Sequence, residues 1–202
     1  TLAPGNRVRN KKFEINHRSE LFNGLYLRTA VSYSDRFSID NLKYPEWTQA
    51  LFGFFSAPQP FDPYRILMTT FDFEYRFRQK FYIRKNKKVV LGSPWPVLNF
   101  QYKKGIPNVF GTQANFDYVE FRVNDEIKLN TLGVTELKFV AGAFIRKQDL
   151  RLIEYKYFRT SDRYFFSNPV NSMQLLDTAL NTASSYIQFN FIHHFKGFFL
   201  NK

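Results

Sequence analysis

The chain has 202 residues, a formal net charge of +12 at pH 7, 44% hydrophobic residues and 19% aromatics. It has no cysteine, which excludes disulfides and thiolate sites. A mean hydropathy of −0.38, without an apolar run long enough for a membrane helix, excludes helical spans. It leaves strand spans open, because barrel strands give half their positions to a polar lumen. The 25 Phe and 12 Tyr exceed what a small soluble core needs and suit a barrel with aromatic girdles. The positive charge suits either single-stranded nucleic acid or anionic headgroups, and its distribution decides between them.

Residues 1–12 are basic and aperiodic and read as a connector. Phe13 and Ile15 then alternate with Glu14 and Asn16 in a strand that ends before a short link at 18–23, turning near Asn23-Gly24. Leu25, Leu27, Val31 and Tyr33 define a second strand. A long connection over 34–63 is punctuated by Pro45, Pro58, Pro60 and Pro63. Its apolar part around Trp47, Phe52, Phe54 and Phe55 packs over the barrel mouth or offers a surface to a protein partner.

The third strand sets Leu67, Thr69, Phe71, Phe73, Tyr75 and Phe77 against Ile66, Met68, Thr70, Asp72, Glu74 and Arg76. The alternation extends through Phe81 and Ile83, turns at the basic tip 84–87 and returns through Val89 to Leu91. A fourth strand covers Val97 to Lys103, and 104–115 is a loop. Two long strands follow, 116–129 and 136–145, joined tightly at Asn130-Thr131-Leu132. A second long connection runs over 146–183, and a seventh strand runs from Tyr186 to Phe195. A final strand begins after Lys196-Gly197. Its interruption after Phe198-Phe199-Leu200, and the start at Thr1, read as those of a processed product or fragment.

Short and long connections largely alternate, as in outer-membrane barrels with short periplasmic turns and long extracellular loops near 34–63 and 146–183. The 78–95 connection departs from that parity. The expected fold is all-β, an antiparallel transmembrane β-barrel of outer-membrane type. Residues 1–202 form an incomplete segment of a larger barrel, about seven to eight strands of it, with no second domain visible within them. Lumen-facing charges are then Asp72, Glu74, Arg76, Glu120, Arg122, Glu126, Lys128, Glu136 and Lys138. Their mixed signs read as salt-bridged filling, whereas a selective pore uses rings of like charge. Asp125 falls on the apolar face near a strand end.

No catalytic, cofactor or metal site is expected. His193 and His194 are strand neighbours that point to opposite faces and do not readily share a metal. Ser167, Ser172, Asp162 and Asp177 lie in one long connection without a nearby histidine or a nucleophile elbow. Gly105 and Gly111 lack the lysine of a phosphate loop. The basic residues are spread over loops and tips, which argues against nucleic acid as a partner. The aromatic and basic stretch 151–166 is a candidate for lipopolysaccharide phosphates or a protein.

Several segments carry a family resemblance. They include Phe13-Glu-Ile-Asn-His-Arg18, Gly24-Leu-Tyr-Leu-Arg-Thr29, Lys88-Val-Val-Leu-Gly-Ser93-Pro-Trp-Pro96 and Gln101-Tyr-Lys-Lys-Gly105. Phe116-Asp-Tyr-Val119, Phe139-Val-Ala-Gly142, Phe166-Ser-Asn-Pro169 and Gln174-Leu-Leu-Asp177 follow. As a set, over nearly the whole chain, they resemble the barrel region of the domain-of-unknown-function family 5686 of Bacteroidetes. Its members are often described as carboxypeptidase-regulatory-like domain-containing proteins. The resemblance implies a larger parent with a signal peptide, a non-catalytic β-sandwich and a C-terminal outer-membrane barrel.

The expected function is that of a non-enzymatic protein of the cell outer membrane, structural or accessory to outer-membrane protein assembly or secretion. Its partners would be outer-membrane lipid and other assembly or secretion proteins. The alternatives are a small-solute channel and a soluble β-barrel that binds an apolar ligand or nucleic acid.

Overall fold

The computed structural model describes residues 8–39, 47, 61–161, 167–174 and 180–195. Its framework is one antiparallel sheet of seven long strands. In chain order the strands are β1 (Val8–Phe22), β2 (Leu25–Ser38), β3 (Tyr64–Arg76), β4 (Lys80–Arg84), β5 (Lys87–Gly92), β6 (Val97–Ile106), β7 (Asn115–Lys128) and β8 (Val134–Asp149). Three more follow, β9 (Lys156–Tyr157), β10 (Asn181–Thr182) and β11 (Ser185–His194). The large sheet runs β1-β2-β3-β6-β7-β8-β11, while β4–β5 and β9–β10 form separate ribbons. Among the described residues the sheet is open, with β1 and β11 at its two edges.

The alternation read from the sequence sets the faces. The register aligns Arg28, Asp72, Gln101, Glu120 and Gly142 across successive strands, and likewise Thr29, Phe71, Tyr102, Val119 and Ala143. Because side chains alternate with a period of two, one face is polar and the other apolar over the whole sheet.

Several boundaries differ from those expected. Residues 8–12 are not a connector but continue β1, with Val8 opposite Ser38 and Lys12 opposite Ser34. Backbone pairing extends the hairpin past its apolar pattern, and the charged side chains find local partners: Lys12 pairs with Glu14, and Lys11 lies 5.8 Å from the Phe37 ring centroid. The supposed link at 18–23 is strand to Phe22, leaving a two-residue turn at Asn23-Gly24. Gly24 has φ +89, and a Cβ there would lie 2.3 Å from the Arg76 carbonyl oxygen. That approach lets the Arg76 N–H donate to the Gly24 oxygen at 2.8 Å, tying β3 to the turn.

The alternation through Phe81 and Ile83 does not prolong β3. The chain leaves the sheet at 77–79, where Arg78 has φ 50, and forms the β4–β5 hairpin. Its turn is Lys85-Asn86, both at positive φ (48 and 57), the geometry that suits the twist of a two-residue hairpin. Trp47 is 60% exposed, whereas Phe52, Phe54, Phe55 and the strand expected after Lys196 lie outside the described residues.

The turn at 23–24, the β4–β5 connection and the link at 129–133 share one end of the sheet. The connections 39–63, 107–114 and 150–184 share the other. The buried cluster lies at this second end and on the polar face: Tyr64, Ile66, Ala114, Phe116, Tyr118 and Phe144, with Leu150 and Ile153 packed against it. Burying its large apolar side chains, such as Ile66, Phe116 and Phe144, stabilises by about 1.5–3 kcal/mol each.

Candidate functional site

The two faces invert the usual arrangement of a half-buried sheet. Along the apolar face, Phe13, Ile15, Phe71, Phe100, Phe121, Ile187, Phe189 and Phe191 are all exposed, from 40% at Phe71 to 75% at Ile187. The polar face is instead covered in part, over the middle of the sheet and towards the long connections, while Glu126, Lys128 and most of β1 stay exposed. The connection after β8 turns inward across it, and each of its described segments is held by named contacts.

Glu120 on β7 is the hub. It is 4% exposed. Its Oε2 accepts from Lys156 Nζ of the inward connection at 2.6 Å and from Tyr118 Oη at 2.5 Å. The Tyr186 hydroxyl of β11 donates to the same oxygen. Arg122 Nε lies 3.2 Å from Glu120 Oε1, and its Nη2 lies 3.5 Å from Asp72 Oδ2. A carboxylate this buried requires such a complement, since an isolated one would be strongly disfavoured. Gly142, opposite Glu120 in the ladder, makes room for the hub: a Cβ there would sit 2.6 Å from the Tyr186 ring.

Further contacts extend the cover. Glu154 pairs with Arg36 at 3.1 Å and accepts from Tyr64 Oη at 3.1 Å. Lys138 donates to Asn171 Oδ1 at 2.9 Å, and Asn190 donates to the Pro169 oxygen at 3.3 Å. Between cover and sheet lies a cavity of about 320 Å³ lined by Met68, Lys103, Phe116, Tyr118, Phe144 and Tyr155, among others. Lys103 sits 5.5 Å from the Tyr118 ring centroid.

The nine charges singled out in the sequence share the polar face, but they do not form one site. Asp72, Glu120 and Arg122 come together. Glu74 and Arg76 form a separate pair at 2.8 Å. Lys138 meets the cover. Glu126 and Lys128 pair at 3.6 Å in an exposed position, and Glu136 lies 3.8 Å from His194. Glu126 and Glu136 stand directly opposite each other near the tight-turn end.

Sequence reasoning missed Lys156, Tyr118, Tyr186, Tyr64 and Glu154. Of the three tyrosines only Tyr186 carried a faint signal, a large aromatic aligned with a glycine, Gly142, in the ladder. Lys156 and Glu154 sit in the aperiodic stretch 151–166, read as a candidate for outside recognition, and nothing local marked their inward pairing with Glu120 and Arg36. Ser167 and Ser172 are buried, and the Ser172 hydroxyl donates to the Asn168 oxygen at 2.8 Å. Asp162 and Asp177 lie outside the described residues. His193 and His194 point apart, His193 to Thr135 and the Leu132 oxygen, His194 to Glu136. Among the described residues no three metal-ligating side chains cluster.

Two boundaries mark the apolar face. Towards the long connections, Asp117 accepts from Tyr102 Oη at 2.6 Å and lies 3.0 Å from Lys104 Nζ and 3.4 Å from Arg146 Nε. Towards the tight turns, Asp125 accepts the Glu126 N–H at 2.9 Å. On the same side, Phe22, Tyr75, Phe77 and Trp95 form a row of rings with successive centroids 6.2, 6.2 and 5.5 Å apart.

No curated protein and no solved structure matches the chain. The model of the C-terminal domain of the family of unknown function DUF5686 matches residues 8–202, and the chain belongs to that family.

Proposed function

We propose that the sheet is part of a transmembrane β-barrel wall in the outer membrane, with its apolar face against lipid and its polar face towards a lumen that the inward connection fills. The observation that carries this reading is the bare apolar face, opposite a polar one that the inward connection covers in part. Water would favour the reverse, and hydrocarbon favours this. The strands are long enough: β7 has 14 residues and β8 has 16, where a tilted span needs about 9–11. From Asp117 to Asp125 is about 27 Å along the strand at ~3.4 Å per residue. Tilted by about 40°, that becomes about 21 Å, close to the ~25 Å apolar band of outer-membrane barrels.

The role we propose is non-enzymatic, structural or accessory to outer-membrane protein assembly or secretion. The charged residues on the polar face satisfy one another and hold the cover, which suits a wall better than an open solute channel. Fractionation of the full-length protein, followed by gentle detergent extraction and identification of co-purifying proteins, tests both levels. Recovery in the outer membrane together with assembly or secretion components is the expected result. Recovery in the soluble fraction without detergent would overturn the membrane placement, and outer-membrane recovery alone would overturn the accessory role.

A further inference from the structure

The connections at the tight-turn end are short at 23–24 and 129–133, yet the one between β3 and β6 carries a whole hairpin. Residues 80–92 contribute five cations, Lys80, Arg84, Lys85, Lys87 and Lys88, and no acid, to a chain whose net charge is +12. Lys88 is committed to Glu20 and to Asn23 Oδ1, the latter at 2.9 Å. The other four form no ion pair among the described residues. All residues of β4 are exposed, and Ile83 and Leu91 reach 70% and 65%. Phe81, Ile83 and Val90 share one face of the ribbon, while Lys80, Tyr82, Arg84 and Lys87 share the other. An isolated two-stranded hairpin is marginal in water, and this one leaves an apolar face exposed beside a basic one.

The base of the hairpin shows where it emerges. Phe77 and Trp95 flank it, 5.5 Å apart, at the end of the aromatic row that borders the exposed apolar face. Such a row is the composition of a membrane–water boundary. A basic cluster just beyond that boundary is attracted to anionic headgroups.

We infer that the β4–β5 hairpin is a lipid-binding element. Phe81, Ile83 and Leu91 enter the interfacial layer, and Arg84, Lys85 and Lys87 meet the phosphates of anionic lipids. An acidic protein would also satisfy the charge, but the aromatic row at the base places the hairpin at the lipid boundary.

The lipid contact presupposes the membrane placement proposed above, and one experiment separates the two. The full-length protein is incorporated into nanodiscs of phosphatidylcholine, or of phosphatidylcholine with about one-third phosphatidylglycerol, and amide hydrogen exchange is followed. Exchange over 80–92 is expected to slow about fivefold in the anionic discs, with the turns at 23–24 and 129–133 unchanged. The combined Arg84→Gln, Lys85→Gln and Lys87→Gln substitutions, which alter only the exposed tip, should abolish that difference. Incorporation with equal exchange in both discs overturns the lipid inference alone. Protection by added polyglutamate but not by anionic lipid overturns it in favour of an acidic protein. Failure to incorporate at all overturns the membrane placement and the lipid contact together.

Discussion

Lys156 Nζ lies 2.6 Å from Glu120 Oε2 and joins the connection after β8 to the middle of β7. Glu120 remains close to Arg122 when Lys156 is lost, so the two partners are not equivalent. Glu120→Ala strands Lys156 and removes the acceptor of two tyrosines, and it should cost about 3–5 kcal/mol. Lys156→Ala should cost about 1–3 kcal/mol, the scale of one lost partner for a buried polar group. Thermal unfolding of the detergent-solubilised protein measures both. Equal losses would show that Lys156 is the sole support of the carboxylate.

Tyr186 lies across Gly142, and any side chain there must displace it. A Cβ at 2.6 Å from the ring cannot be absorbed without moving the phenol away from Glu120. Gly142→Val should therefore cost about 1–3 kcal/mol, the range of overpacking in a close-packed region. The double substitution Gly142→Val with Tyr186→Ala should recover part of that loss. A double variant no better than the single one would place the strain in the backbone instead.

What the sequence made legible follows from period two. In β2, β3, β6, β7, β8 and β11 the alternation marked which residues share a face, and Asp72, Glu120 and Arg122 were found on the polar one. Strand ends were less legible. Lys11 and Lys12 break the apolar pattern, but β1 continues through them because β2 supplies backbone partners as far as Ser38. The hairpin at 80–92 kept the strand period but left the sheet, since alternation does not record a break such as the one at Arg78. The cover was illegible for a different reason. Glu154 and Lys156 act through positions far away in the chain, and no local pattern encodes such contacts.

The apolar face makes a depth-dependent prediction. Phe121 stands midway between Asp117 and Asp125 on β7, whereas Ile127 lies beyond Asp125, and the two are 40% and 39% exposed. If that face meets lipid, Phe121→Arg should cost about 2–4 kcal/mol and Ile127→Arg about 0–1 kcal/mol. Reversible unfolding from phospholipid bilayers compares them directly. In a water-soluble sheet, two exposed positions of equal accessibility would respond alike, so equal costs would sink the membrane placement.

The covered polar face bears on whether the wall also conducts. Lys156 pins the connection to Glu120, and Lys138 pins it to Asn171 through a 2.9 Å hydrogen bond about one-third of the way along β8. If that connection fills the lumen, the full-length protein in a planar bilayer should conduct weakly. The combined Lys156→Ala and Lys138→Ala substitutions should raise the conductance several-fold by releasing the segment at both points, as for other barrels whose interior is plugged. A wild-type conductance already as high as that of the released variant would mean that the connection does not obstruct the passage. The channel reading would then displace the wall reading, and the mixed charges of Asp72, Glu120 and Arg122 would become lining rather than filling.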